Sequence, residues 1–193
     1  MMSGTIFFHL SKHNMKSFLL SLLIPFVTVV VVFAQEYHPA GQGSSVTFKI
    51  RNLGFNVDGS FSGLQGKILF DPKDPGKASF DVSIDAATVN TDNDSRDGHL
   101  KKEDYFDVQN YPRIRFVSTG ITPSGKSGSY TMAGKLTIKT TTKDISFPFT
   151  ATPQGDDYLF NGEFSINRKD FGVGGSSTIS NSLTVVLAVL GKK

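Results

Sequence analysis

From residue 46 onward the chain alternates apolar and polar positions with a period of two, and the alternation stops repeatedly at turn-forming residues. Val46, Phe48 and Ile50 are interleaved with Thr47, Lys49 and Arg51, and Phe80, Val82 and Ile84 with Asp81, Ser83 and Asp85. Successive side chains of a strand point to opposite faces, so each run predicts a strand with one buried and one wet face. The rhythm returns in Ile114 and Phe116, in Tyr130, Met132, Leu136 and Ile138, in Ile145, Phe147 and Phe149, and in Tyr158, Phe160, Phe164 and Ile166. A last run, Leu183 to Leu190, is apolar on both faces, which leaves its register open. Pro148 predicts an edge or a bulge within its strand, because proline donates no ladder hydrogen bond.

Hairpin turns are expected at Asp58-Gly59, at Asp71-Pro72 with Asp74-Pro75-Gly76, and at Gly125 to Gly128. Between Asn90 and Pro112 the strand rhythm is lost, and Asp92, Asn93, Asp94 and Ser95 offer helix caps, so one short helix is expected there. The pattern is that of an all-β antiparallel domain of about eight or nine strands. That many strands in a small domain either close or stack as two sheets, and closure removes exposed edges. A barrel or flattened barrel follows.

Upstream of this pattern, Lys16 precedes a 16-residue run from Phe18 to Phe33 that ends in Val32-Phe33-Ala34. This is the layout of a signal peptide, with the start placed at Met15 and cleavage after Ala34. A retained anchor is the competing reading, but a spanning helix needs roughly 20 apolar residues, and Pro25 lies inside this run. Residues 1–34 are therefore expected to be a signal peptide and residues 35–193 a single domain, periplasmic or secreted. Removing the leader takes away Lys12 and Lys16 and no acid, so 20 basic against 17 acidic residues becomes 18 against 17. No basic excess remains to mark a nucleic-acid footprint. The absence of cysteine rules out a disulfide framework and a thiolate metal site.

Several motifs promise chemistry. Gly120 to Ser127 satisfies the phosphate-loop spacing letter for letter, but an alternating strand follows where that chemistry needs a helix. Arg96, Asp97 and His99 with Asp92, Asp94, Glu103 and Asp104 offer acid and base groups, yet no nucleophile is placed to complete a set. An ion-paired cap closing one end of the barrel is the expected role. His38 and His99 are the two histidines after the leader, and no calcium-loop spacing occurs, so no metal is expected. Asn93-Asp94-Ser95 fits the glycosylation pattern by chance, and Gly172 to Ser177 reads as a flexible loop near the barrel mouth. No cofactor and no enzymatic activity are expected.

Seventeen phenylalanines and no tryptophan make an unusual aromatic balance. An eight-stranded barrel has interior enough to be packed solid or to hold one small apolar ligand. The pattern leaves those two open.

Blocks along residues 36 to 190 resemble the YceI-like family of exported lipid- or polyisoprenoid-binding proteins. They include Ser45 to Ile50, Gly59 to Gly63 with Phe70-Asp71 and Pro75, and Thr91 with Arg96-Asp97, His99-Leu100 and Phe106-Asp107. Tyr111-Pro112, Gly134 to Ile138, Thr142-Lys143 and Asn167 to Val173 continue the resemblance. Lys139-Thr140 departs from it, standing where the family commonly turns on glycine. The resemblance implies a lipocalin-like barrel with an apolar tunnel for a polyisoprenoid or fatty chain, its polar head near one mouth. It also implies a carrier with transient membrane contact; no nucleic-acid partner is expected from the near-neutral charge. The alternative is a packed structural or protein-interaction barrel without ligand. For the carrier, the expected lining is Phe48, Ile50, Phe80, Val82, Phe116, Met132, Leu136, Phe147 and Phe160.

Overall fold

The structure, a computed structural model, describes Met1 and residues 34–175 and 178–193; the predicted leader lies outside the described residues apart from Met1 and Ala34. Among the described residues nine strands follow one another: β1 (Gln35–Pro39), β2 (Ser45–Asn52), β3 (Phe55–Phe70), β4 (Ser79–Asn90), β5 (Arg113–Pro123), β6 (Ser129–Ile138), β7 (Thr141–Gln154), β8 (Asp157–Asn167) and β9 (Ile179–Lys192). One α-helix, α1 (Asp94–Leu100), lies between β4 and β5. All pairings are antiparallel, in the order β1-β3-β2-β9-β8-β7-β6-β5-β4. A β3–β4 ladder closes β2 to β9 into an eight-stranded barrel, as the alternation predicts.

β1 is the ninth strand, and it continues a stave already begun. β2 pairs with β3 over residues 55–61 and with β9 over residues 179–188. β1 pairs with the far end of β3, at 68–70, and with Gly191 and Lys192 of β9. β1 and β2 thus occupy the same position in the wall, interrupted by residues 40–44.

The connections sort to two ends, as antiparallel order requires. The β3–β4, β5–β6 and β7–β8 hairpins lie at one end, and the β2–β3, β4–β5, β6–β7 and β8–β9 connections, with α1, at the other. The first end is packed solid. Tyr37, Ile68, Phe70, Phe80, Tyr130, Phe149 and Phe160 are all buried there, Ile68 and Phe70 fully. Phe70 meets Tyr130, Tyr158 and Phe160 edge-on at 5.6, 5.2 and 5.3 Å, a favoured aromatic geometry. Burial, together with the nearby Tyr158, holds the Tyr130 phenol above its ordinary value; Tyr37 is raised by burial first and then by Tyr158 and the adjacent acids.

Two of the expected turns, at Asp71 to Gly76 and Gly125 to Gly128, are where the hairpins reverse. Asp58-Gly59 is not. It lies inside β3, with Gly59 directly opposite Phe48 of β2. A Cβ on Gly59 would lie 2.2 Å from the Phe48 ring, so glycine here makes room for a ring laid flat across the neighbouring strand. Phe116 covers Gly134 in the same way, 2.3 Å from where its Cβ would be. The β2–β3 reversal is made instead by Leu53-Gly54, with φ of 50° and 84°. Positive φ at both central residues is the two-residue type I′ hairpin, which ordinarily carries Asn-Gly. The β6–β7 hairpin likewise turns on Lys139, at φ 53°.

Pro148 pairs with Thr131 of β6, while the β7–β8 ladder begins only at Phe149↔Gly162. Its missing donor therefore falls where β7 has no ladder on that side. The register left open for Leu183 to Leu190 resolves with Leu183, Val185, Leu187 and Val189 inward and Val186 outward, 42% exposed.

Leu53→Asn should stabilise the protein by about 1 kcal/mol, the cost of a left-handed conformation for an ordinary side chain, read as a higher denaturant midpoint with unchanged slope. Gly59→Ala should destabilise by about 1–3 kcal/mol through overpacking, and the loss should be smaller than the sum of single effects when combined with Phe48→Ala. Because the raised phenols stay neutral in the fold while unfolded ones ionise near pH 10, stability is retained below that pH and lost as pH rises beyond it. Tyr130→Phe should move the alkaline unfolding midpoint upward in a circular-dichroism titration.

Candidate functional site

Above the aromatic floor the barrel is hollow. The cavity measures about 520 Å³, within the roughly 300–1,000 Å³ of small-molecule sites. Its floor is Ile68, Phe80, Met132, Phe149 and Phe160, the same residues that cap the packed half. The interior is thus divided between solid core and open space, and the space is blind-ended rather than a tunnel. Rings of Phe48, Phe116, Phe147 and Phe164 line its walls. Two lie flat because glycines stand behind them; with bulkier residues at Gly59 and Gly134 these rings would turn into the space they now border.

All nine residues expected to line the interior do so: Phe48, Ile50, Phe80, Val82, Phe116, Met132, Leu136, Phe147 and Phe160. The prediction omitted the whole β9 contribution, because a strand apolar on both faces gives no phase. It also omitted Val57, Phe61, Leu100, Tyr105 and Phe106. Phe164 and Ile166 carry the same alternation as Phe160 and were readable.

The open end is built from α1, the loop after it, and the loop after β8. Asn93 caps α1, its side chain accepting from the Arg96 backbone N–H at 2.9 Å. The expected Arg–carboxylate cap takes a different form: Arg96 and Asp97 both converge on Thr91. Arg96 donates through Nε to Thr91 Oγ1 at 2.7 Å and through Nη2 to its carbonyl at 2.6 Å. Buried Asp97 accepts from the Thr91 hydroxyl at 2.5 Å and from its backbone N–H at 3.0 Å. One hydroxyl relays between cation and anion, which fixes the helix to the end of β4.

Behind the helix, Phe106 rests edge-on against Phe61 at 5.4 Å. Gly174 N–H donates to the Asp104 carbonyl at 2.7 Å, and Lys139 Nζ to the Glu103 carbonyl at 2.8 Å. Arg168, only 5% exposed, donates to the carbonyls of Val173 (2.7 Å) and Ser180 (3.0 Å). These ties hold a partial roof. The opening is bounded by the cap residue Asn93 with Arg96 and His99 of α1 on one side, and by Asn52, Val57 and Ile179 on the other.

The remaining motifs take structural parts. Gly120 to Pro123 belongs to β5, and Ser124 to Gly128 turns into β6, so the phosphate-loop spacing sits in a strand–hairpin–strand. The Asp97 carboxylate is committed to Thr91, while the His99 ring lies edge-on to Tyr105 at 5.9 Å. Of the loop expected over Gly172 to Ser177, residues 176–177 lie outside the described residues. Among the described residues no cluster of three metal-ligating side chains occurs.

This architecture has known counterparts. BcnA of Burkholderia cenocepacia superposes with a TM-score of 0.75 at 25% identity, over 79% of this chain and 98% of that one. The Campylobacter jejuni YCEI protein gives 0.64 at 28% identity, over 72% and 86%. A polyisoprenoid binding domain from Saccharophagus degradans shares the fold, with a TM-score of 0.65 at 15% identity over 83% and 99%. A UPF0312 protein of Pseudomonas fluorescens is 37% identical, covering 73% of this chain and 78% of the relative. The YceI-like domain profile matches residues 37–190, from within β1 to nearly the end of β9: the chain belongs to the YceI-like family.

Proposed function

We propose that this protein is an exported, non-catalytic carrier, periplasmic or secreted, that holds the chain of a long apolar lipid inside the barrel. The observation that carries the reading is the cavity itself: a blind space of about 520 Å³ lined mainly by apolar side chains, with Asn93, Arg96 and His99 at its mouth. A polyisoprenoid or fatty chain enters tail first, because the floor is aromatic and offers no partner to a head group. The head stays at the rim near Asn93 and the Arg96 and His99 side chains of α1.

The energetics suit such a ligand. Burying about ten methylene-sized groups supplies ~8 kcal/mol at ~0.8 kcal/mol each, offset by at least ~4 kcal/mol for lost freedom on association. Affinity then depends on chain length more than on any single polar contact. The shared fold of the polyisoprenoid binding domain supports a polyisoprenoid over a short ligand, and the leader-like segment before Ala34 supports export.

The test is to purify the protein in the form the cell accumulates, denature it, extract with organic solvent, and identify the extract by mass spectrometry. A stoichiometric long-chain lipid is expected; an empty extract together with no uptake of added polyprenyl or fatty lipids overturns the reading. Val185 faces inward between Phe48 and Phe164. Val185→Trp should fill the cavity and lower lipid content at least about tenfold, equivalent to ~1.4 kcal/mol, while the far-ultraviolet spectrum of the barrel is retained.

A further inference from the structure

Apart from Met1, three large hydrophobic side chains are exposed among the described residues: Leu53, Phe55 and Val186. Two of them are adjacent to the same hairpin. Leu53 is 69% and Phe55 77% exposed, at the tip of β2–β3, and this tip belongs to the end of the barrel where the cavity opens. Phe55 is in phase with Val57 and Phe61, which line the cavity, so it occupies an inward-facing position of β3 beyond the point where the barrel has an inside. On β2 the inward phase runs through Ile50 and Asn52 to the same rim. A strip of apolar surface therefore leads from the tip down into the cavity.

The backbone adds a second, independent sign. Leu53 sits at φ 50° in a turn that Asn or Gly would satisfy without strain. A bulky apolar side chain there serves neither turn geometry nor core packing.

We propose that the Leu53-Gly54-Phe55 tip is a lip that inserts into the surface of a lipid bilayer and sets the mouth against it. This rests on the carrier reading and deepens it by naming the element that meets the donor or acceptor membrane. A bilayer fits better than a protein partner on area. A stable protein interface needs ~800 Å² from each side, several times what one aliphatic and one aromatic side chain present. An interfacial wedge needs no matching surface, only apolar side chains that reach below the head groups. Charge around the mouth is mixed, with Arg51, Lys101 and Lys102 set against Asp92, Asp94, Glu103 and Asp104. Docking is accordingly apolar in character and weakly dependent on salt.

The chain has no tryptophan, so Phe55→Trp makes a single reporter, and Val186→Trp, on the outer wall, its control. With phosphatidylcholine vesicles the Phe55→Trp emission should shift to the blue and be quenched by brominated acyl chains, while Val186→Trp should not respond. Emission from Phe55→Trp that ignores vesicles, or an equal response from both reporters, overturns the proposal. The double variant Leu53→Asn with Phe55→Ser should partition into vesicles roughly tenfold less or weaker still. It should also exchange lipid between vesicles correspondingly slowly, with its extracted lipid content unchanged. Wild-type exchange and partitioning by this folded variant would equally refute the lip. Should the wild-type extract prove empty and the protein take up no added lipid, the carrier reading fails, and the reporter pair still decides whether the tip docks.

Discussion

The ladder between β3 and β4 closes the sheet, and the remaining features follow from that closure. An open sheet of the same strands would expose two edges and could press its apolar face against any neighbour. Closed, it must enclose a fixed interior, and eight strands make that interior just wide enough to be filled by side chains or to hold one small ligand. What the interior becomes then depends on where the rings are placed and which way they lie. At one end Phe70 meets Tyr130 and Phe160 edge to face while Tyr130 stacks on Phe149, and together these rings fill the cross-section. Higher up, Phe48 and Phe116 lie flat over Gly59 and Gly134, and the same residue type that plugs the floor makes a smooth wall.

Closure also explains the mouth. A barrel needs no lid to be stable, yet in this one residues 90–112 and 168–175 form structures across one end. These are fastened by hydrogen bonds to carbonyls, from Arg168, Lys139 and Gly174, and by the Thr91 hydroxyl between Arg96 and Asp97. Such ties depend on the local backbone keeping its shape, which makes the roof rigid where it is anchored and leaves the side facing β2–β3 open.

Strands, closure and helix were legible in the sequence because each rests on a local signal, the period-two alternation and the run of capping residues from Asp92 to Ser95. The nine lining residues were legible for the same reason: a wet outer face fixes the phase of the inner one. Other features were hidden by their physics. Asp58-Gly59 carries the letters of a hairpin turn, and only the opposing strand reveals that Gly59 accommodates the Phe48 ring. Leu53-Gly54 carries the wrong letters for the turn it makes, since leucine is a poor choice at positive φ. β9 gave no phase because both of its faces are apolar, and the network on Thr91 joins side chains whose meeting is set by the helix docking, not by spacing alone. The hollow itself has no local signature, as a lining phenylalanine and a packed one read alike.

The misread turn and the apolar tip are connected. A carrier for a chain held by burial alone faces an asymmetry: each carbon drawn out of the cavity into water costs what its entry gained, ~0.8 kcal/mol, so release through water becomes slower with every carbon. Affinity and turnover then oppose each other unless the mouth is continuous with another apolar phase. On the proposed reading, an apolar lip in phase with the cavity wall would supply that continuity, the lipid chain exchanging one apolar neighbour for another along Phe55, Val57 and Phe61. On that account the strained Leu53 belongs to the path of the ligand, and the stability given up at the turn is the counterpart of an exit that avoids water.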